Sequence, residues 1–356
     1  MARAAEMKKI FLILLSLPSL GISWLLIDQY VLCPTIQFPS SKPFAGENIY
    51  NPYQNIDSVD IAVANFHSHV KAWKGLTNGK GNGSDVWRRY DSLGYTFHAL
   101  SQYFNIDTFN QHLGNYVPVY EHGMNFKKTH QLVIGAKSVL WKDYVFPQTI
   151  HNKQHIINKI AEDPNVLVVL NHPEMLDGYT KEDFQKLYNY DFIEILNPQA
   201  QSFSAWDVAL SSGHPVFGLA DDDVHNVFEN KLLGRFYNVI YAAKSNRFGL
   251  VTSLKEGNYF TVWAPENDEG LMQKREKIES NKKILKSVAL QNNFIDIRFS
   301  RFIDTVKIIG QHGKLVDLQN MKNQVKYQFL PSDTYVRIEL ILNDGTRIFM
   351  NPFFRY

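Results

Sequence analysis

Apolar runs in this chain repeatedly end in side chains able to hold metal. Val59-Asp60-Ile61-Ala62-Val63-Ala64 leads into Asn65-Phe66-His67-Ser68-His69, and Val166 to Leu170 leads into Asn171-His172-Pro173-Glu174. Phe192 to Leu196 runs into Asn197-Pro198, and Val216 to Ala220 runs into Asp221-Asp222-Asp223-Val224-His225. Runs of this length, rich in β-branched residues, read as buried strands. Between them Lys153 to Ile160, Lys181 to Tyr190 and Ser204 to Ser211 carry apolar residues three and four apart, the period of a helix. Alternation of strand and helix predicts parallel strands joined by crossovers. In a closed βα barrel the strand ends meet around one mouth, where such folds keep their chemistry.

The residue types at those ends narrow the chemistry. Side chains two apart on an extended chain share a face, so His67 and His69 converge on one point. Two neutral imidazoles held on rigid backbone are half of a metal site. One His-x-His is ordinarily a hydrogen-bonded surface pair; the repetition at several strand ends raises it above that. Val117-Pro118-Val119-Tyr120-Glu121 places Glu121 at a strand end, and His130 opens the next strand, Gln131 to Ile134. A carboxylate bridges two cations about 3.5–4 Å apart, which a neutral imidazole does not readily do, so a two-metal site needs a residue like Glu121. Asp223-Val224-His225 repeats the spacing of the first histidine pair.

Composition excludes other classes. The 356 residues are 45% hydrophobic, enough for a large domain with a small one beside it, and the net charge of +2 is spread through mixed signs. That leaves no nucleic-acid footprint and points to small-molecule partners. There is no nucleotide-binding glycine loop, no Gly-x-Ser-x-Gly and no His-Glu-x-x-His. Ile10 to Ile27 is uncharged and almost wholly apolar, and Arg3, Lys8 and Lys9 precede it. This reads as an uncleaved membrane anchor that exports the rest of the chain, with a cleaved signal peptide and secretion as the alternative. Lone Cys33 allows no intrachain disulfide, and Leu32 before it is not the small residue of a lipidation signal. Residues 1–45 are therefore expected to be anchor and tether.

At this point the residues resemble the PHP (polymerase and histidinol phosphatase) superfamily of metal-dependent phosphoesterases. The matches are His67-x-His69, Leu93-Gly94-Tyr95, Glu121, His130, His172-Pro173 and Asp223-x-His225, across roughly residues 57–265. Tyr190 to Asn197, Trp206-Asp207 and Ala220 to Asn226 resemble its exported branch. The resemblance implies an α/β fold, a distorted seven-stranded TIM-like barrel over residues 46–265, with two or three metals, usually zinc, manganese or iron, hydrolysing phosphate esters. On that reading two divalent ions share Glu121, with His67, His69 and Asp223 on one, His130 and His172 on the other, and His225 completing whichever is open. Glu121 and Asp223 are the expected catalytic carboxylates. Arg235, with a planar fork suited to phosphate oxygens, and Glu174 and Asn197 are the expected substrate contacts.

Two departures stand out. Where the family carries Thr-Asp-His after the second strand this chain has Ser101-Gln102-Tyr103, and a further family histidine falls near Gly75. These motivate the main alternative, a catalytically degenerate, membrane-tethered binding barrel. An amidohydrolase-like hydrolase also begins with His-x-His, but it ends on a solitary Asp rather than Asp223-x-His225.

Residues 266–287 are charge-rich and read as a connecting helix. In 288–356 the period changes to two, and Asn343-Asp344-Gly345 between Tyr335–Leu342 and Arg347–Met350 marks a hairpin. A small antiparallel β domain is expected there. It resembles the sandwich that follows exported PHP domains.

Overall fold

The computed structural model describes residues 17–356 apart from 55, 57–59, 76, 78 and 243–245. Helix α1 covers residues 17–30. Arg3, Lys8, Lys9 and the first part of the expected anchor, 10–16, lie outside the described residues, and so does Val59. Among the described residues no helix is long and apolar enough to cross a membrane.

The fold is mixed α/β. Strands β1 (Asp60–Asn65), β2 (Phe97–His98), β3 (Val119–His122), β4 (Gln131–Ile134), β5 (Leu167–Leu170), β6 (Phe192–Asn197), β7 (Phe217–Ala220), β8 (Phe236–Ala242) and β9 (Tyr259–Trp263) surround the first part of the core. They do not close into one hydrogen-bonded ring among the described residues. β3 to β7 belong to one sheet, and β1, β2, β8 and β9 to another. The expectation of parallel strands throughout also needs correction. β1–β2, β5–β6 and β6–β7 are parallel, but β3–β4, β4–β5, β1–β8 and β8–β9 are antiparallel. The connection from His122 to Gln131 is too short for a crossover, which takes about a dozen residues or more, so β4 must run back beside β3. That reversal is what brings Glu121, near the end of β3, and His130, just before β4, to the same end of the sheet.

The two sheets meet at seams pinned by a side chain in one place and by a lone backbone bond in another. At the β7–β8 seam the Asn238 amide accepts from Ala220 N–H at 3.0 Å and donates to Ala220 C=O at 2.7 Å and Ala64 C=O at 3.3 Å. Near β2, Phe104 N–H donates to Glu121 C=O at 3.0 Å. Each contact replaces a missing strand pairing, because buried backbone groups must find partners.

Helices α2 (Gly83–Ser92), α3 (Ile150–Ile160), α4 (Phe203–Ser211), α5 (Arg247–Lys255) and α6 (Leu271–Lys282) complete the chain. α2 and α3 start at reciprocal caps, Asn82 with Asp85 and Thr149 with Asn152. The helix expected over Lys181 to Tyr190 is only a single 3-10 turn, Asp183–Gln185. Tyr188 N–H and C=O are held by the Gln154 amide at 3.0 and 2.9 Å, so its backbone pairs with a side chain instead of a helical ladder.

Beyond residue 265 the period of two gives β10 (Leu285–Gln291), β11 (Phe294–Gly310), β12 (Lys314–Gln328), β13 (Tyr335–Ile341), β14 (Arg347–Met350) and β15 (Phe353–Arg355). All neighbours among them are antiparallel, and β13 and β14 pair as the expected hairpin, with Gly345 at φ +83°. β14 also pairs with β9, so these strands extend the sheet that holds β1 and β8. α6 is docked rather than free: Ile278 is buried, and the Lys274 ammonium donates to Asn230 C=O at 2.6 Å and Leu233 C=O at 2.9 Å. Buried Arg337 on β13 grips Asp207 on α4 through two 2.7 Å bonds.

Candidate metal centre

The strand ends bring together a buried cluster of imidazoles and carboxylates. His67 and His69 follow β1, and the bond from His69 N–H to Val224 C=O at 2.9 Å sets their segment beside the one that carries Asp223. His67 Nε2 and His69 Nε2 lie 3.1 Å apart, and each is 3.2 Å from Asp223 Oδ1. Glu121 reaches in from β3, with Oε2 3.3 Å from His69 Nε2 and Oε1 3.4 Å from both His67 Nε2 and His172 Nε2. His130 Nδ1 is 2.8 Å from Glu121 Oε1. His225 is the exposed edge of the group, its Nδ1 3.5 Å from Asp223 Oδ1.

These separations fit a metal. Around a cation with bonds of ~2.1 Å, neighbouring donors stand ~3.0–3.4 Å apart, which is the spacing of the triangle His67 Nε2, His69 Nε2 and Asp223 Oδ1. His67, Glu121 and His172 form a second set of converging donors. Glu121 Oε2, Asp223 Oδ1 and His130 Nε2 are buried without a hydrogen-bond partner, a costly state that a cation relieves. Glu121 lies between the two sets, where a shared carboxylate belongs.

Charge supports the same arrangement. Burial opposes ionising Glu121, yet His130 and His67 hold its carboxyl well below the usual range. Asp223 is lowered likewise against its burial, by His67 and His69. Burial lowers the pKa of His130 and His225 and so favours the neutral imidazole that a metal requires. Burial also opposes charging His67, but Asp223, Glu121 and Glu194 outweigh it and raise its pKa well above the ordinary value, so a cation binding there displaces the proton on Nε2.

Supporting residues fix these groups in place. Glu194, in the middle of β6, accepts from His67 Nδ1 at 3.0 Å and from His172 N–H at 2.7 Å. The first bond leaves His67 Nε2 as the lone pair aimed at the cluster. Asn171 donates to Glu121 Oε1 at 3.1 Å. Asp222 does not join the donors: it accepts from Gly234, Arg235 and Phe236 N–H and from Tyr90 O–H, and burial raises its carboxyl to about 6.

The three expected substrate contacts each have a partner within the protein. Asn197 donates to Asp223 Oδ2 at 3.2 Å and so orients a donor. Glu174 accepts from Ser204 O–H and Ala205 N–H at the start of α4. Arg235 pairs with Glu266 at 2.8 Å and is absent from the wall of the cavity beside the cluster. That cavity, of about 850 Å³, is walled by His130, His172, Asp223 and His225 together with Lys128, the one lysine among the described residues on its lining. Of the non-matching pair, Gln102 brackets the Val70 N–H and C=O with its amide, and the Tyr103 ring stacks on His69 with centroids 4.9 Å apart. His98 is buried against Trp87 and Tyr90, away from the donors, and His112 is exposed.

Glu194 and Lys128 are the site residues that sequence reasoning missed. A carboxylate amid the apolar run Phe192 to Leu196 was a usable sign, since a charge inside a buried strand needs a partner. Lys128 stands two residues before His130, a weaker hint.

No family model matches the sequence, and no curated protein matches it. Among solved structures the chain is similar to a two-domain protein from Bacteroides vulgatus ATCC 8482 that contains a predicted PHP-like metal-dependent phosphoesterase. The identity is 12% and the TM-score 0.44, over 89% of this chain and 91% of that one.

Proposed function

We propose that this chain is a metal-dependent hydrolase of phosphate esters. The observation that carries the reading is the buried triangle of His67, His69 and Asp223 with Glu121 beside it, at the spacing of donors around one cation. His67, His69 and Asp223 would hold one divalent ion, His130 and His172 a second, with Glu121 shared and zinc, manganese and iron all suited to the mixed donors. Once bound, the pair supplies a nucleophile from water at neutral pH and positive charge for the phosphoryl oxygens.

The protein's own part is positioning. Glu194 and Asn197 orient His67 and Asp223, Tyr103 covers one face of His69, and Lys128 meets phosphate oxygens from the cavity wall. Export and membrane anchoring belong to the same proposal. They are supported by Arg3, Lys8 and Lys9 ahead of the uncharged run Ile10 to Ile27 and by the exposed apolar side chains of α1, including Leu17, Leu20 and Trp24.

The test is elemental analysis of the full chain and of His67→Ala, with hydrolysis of p-nitrophenyl phosphate and of bis(p-nitrophenyl) phosphate. Two metals per chain and activity abolished in His67→Ala are expected. Tyr103 and Gln102, standing where the family has ligands, favour a second reading as a tethered binding protein. Absence of metal from both proteins selects that reading and overturns the catalytic one.

A further inference from the structure

The wall of the cavity changes character from floor to mouth. His130 and His172 on the lining are buried, whereas Trp73, Met124 and Phe126 on the same lining are exposed and Met175 is half-buried. Trp73, Met124 and Phe126, with neighbouring Trp141 and Leu176, are 46–68% exposed. Scattered exposed apolar side chains are ordinary, but several around one opening mark a contact surface.

The same surface is continuous with α1. Gln29 donates to Phe146 C=O at 3.0 Å and Pro147 C=O at 3.1 Å, Tyr30 O–H donates to Pro147 C=O at 2.8 Å, and Asp28 pairs with Lys142. The segment gripped in this way also carries the rim. Phe126 N–H donates to Val145 C=O at 3.1 Å, Met124 N–H donates to Asp143 at 2.7 Å, and Trp141 precedes Lys142. α1 leaves Leu20, Ile22, Trp24 and Ile27 exposed along its length. Lysines adjoin the rim aromatics in sequence: Lys74 follows Trp73 and Lys127 follows Phe126. Aromatic and aliphatic residues interleaved with lysine suit the boundary of a bilayer, where rings settle at headgroup depth and ammonium groups meet anionic lipid.

We propose that the cavity mouth rests on a lipid bilayer and that the substrate is a phosphate ester carried by a membrane lipid. The phosphate reaches the cluster while the apolar part stays against Trp73, Phe126 and Met175 and in the membrane. A cavity near the upper end of the ~300–1,000 Å³ range of small-molecule sites has room for a headgroup and the first part of its tail. The inference rests on the phosphoesterase reading above.

The full chain tests it. Vesicles of phosphatidylcholine carrying phosphatidic acid or phosphatidylglycerol are compared with soluble glycerol phosphate and glycerophosphoglycerol, which have the same ester bonds without tails. The lipid form is expected to give a kcat/KM at least about tenfold higher, because tail contacts contribute binding the soluble form lacks. Trp141→Ser and Leu176→Asn, which lie outside the cavity lining, are expected to lower the rate on vesicles severalfold and leave the rate on the soluble ester unchanged. Vesicles with brominated tails are expected to quench a fluorescence component that Trp141→Phe lacks. Equal rates on lipid and soluble ester, variants that lower both rates alike, or no quenching of Trp141 each overturn the bilayer proposal and leave the phosphoesterase reading standing. Hydrolysis of neither form overturns it as well, and the metal count from the same sample then shows whether the phosphoesterase reading falls with it.

Discussion

Replacing Glu194 by Gln isolates what orients the cluster from what forms it. The carboxylate accepts from two fixed donors, His67 Nδ1–H at 3.0 Å and His172 N–H at 2.7 Å. An isosteric amide has one oxygen, and the backbone N–H of His172 has no alternative tautomer, so the oxygen stays there and the NH2 turns to His67. In the neutral ring that a cation needs, His67 must then accept at Nδ1 and carry its proton on Nε2, the atom that lies 3.2 Å from Asp223 Oδ1 and 3.1 Å from His69 Nε2. Binding a cation requires that tautomer to be reversed against a hydrogen bond. Loss of such an orienting partner typically weakens metal affinity ~10–100-fold, about 1.4–2.7 kcal/mol. On the metal-free fold two effects oppose: the amide removes the repulsion that, after burial, holds the Asp221 carboxyl well above its usual range, and it loses the attraction by which Glu194 helps to raise His67. The assay is zinc competition against a chelator of known affinity, run beside thermal melting of the metal-free protein. Affinity unchanged within about twofold would refute the orienting role. A large fall in the metal-free melting temperature would show that Glu194 acts through folding instead.

Other perturbations test other parts of the structure. Asn238→Ala strips both backbone groups of Ala220 of their partner and should cost about 1–3 kcal/mol per group by urea unfolding; an unchanged midpoint would mean the β7–β8 seam holds without it. Asp207→Asn leaves the buried Arg337 charge without its counter-ion and should cost ~3–5 kcal/mol, largely recovered by also changing Arg337→Met; a double variant as weak as the single one would contradict this. Burial pulls the His98 pKa from 6.5 to about 3, so the unfolded chain takes up the proton first as pH falls. Its contribution to stability is therefore intact above pH 6.5 and is lost progressively down to about 3, by ~2 kcal/mol at pH 5. Asp91, 3.9 Å from His98 Nε2, is the carboxylate facing it. His98→Phe should lose that much less stability between pH 7 and 5 than the parent, and parallel pH curves would refute the assignment.

Much of the donor set was legible because metal chemistry restricts residue type and strand geometry restricts spacing. His67-x-His69, Glu121, His130, His172 and Asp223 each follow or precede an apolar run, and those runs became β1, β3, β4, β5 and β7. What stayed hidden depends on direction rather than type. Arg235 has the right fork for phosphate, but no local pattern reveals that Glu266, far along the chain, engages it. Glu174 next to His172 reads as a site residue until α4 is seen to begin above its carboxylate. Strand direction was recoverable in principle from the short link between Glu121 and His130. The β7–β8 seam was not, since nothing near Asn238 shows that its amide stands in for a strand.

The way the candidate donors are held predicts that the cluster acts as one unit. His172 and Asp223 sit at φ +27° and +42°, conformations that cost a non-glycine residue about 1–3 kcal/mol and persist only where surroundings impose them. His172 donates its N–H to Glu194, and Asp223 accepts from the amide of Asn197 at the end of the same strand, β6, so both residues are tied to that strand. β6 therefore supplies none of the expected metal ligands but fixes one in each of the two sets, and through Glu194 it holds His67 as well. If each set takes a cation as proposed, filling one would stiffen β6 and the strained turns it supports and so lower the ordering still required of the other. Two cations should accordingly bind with positive cooperativity, and Glu194→Gln should weaken that coupling along with the affinity.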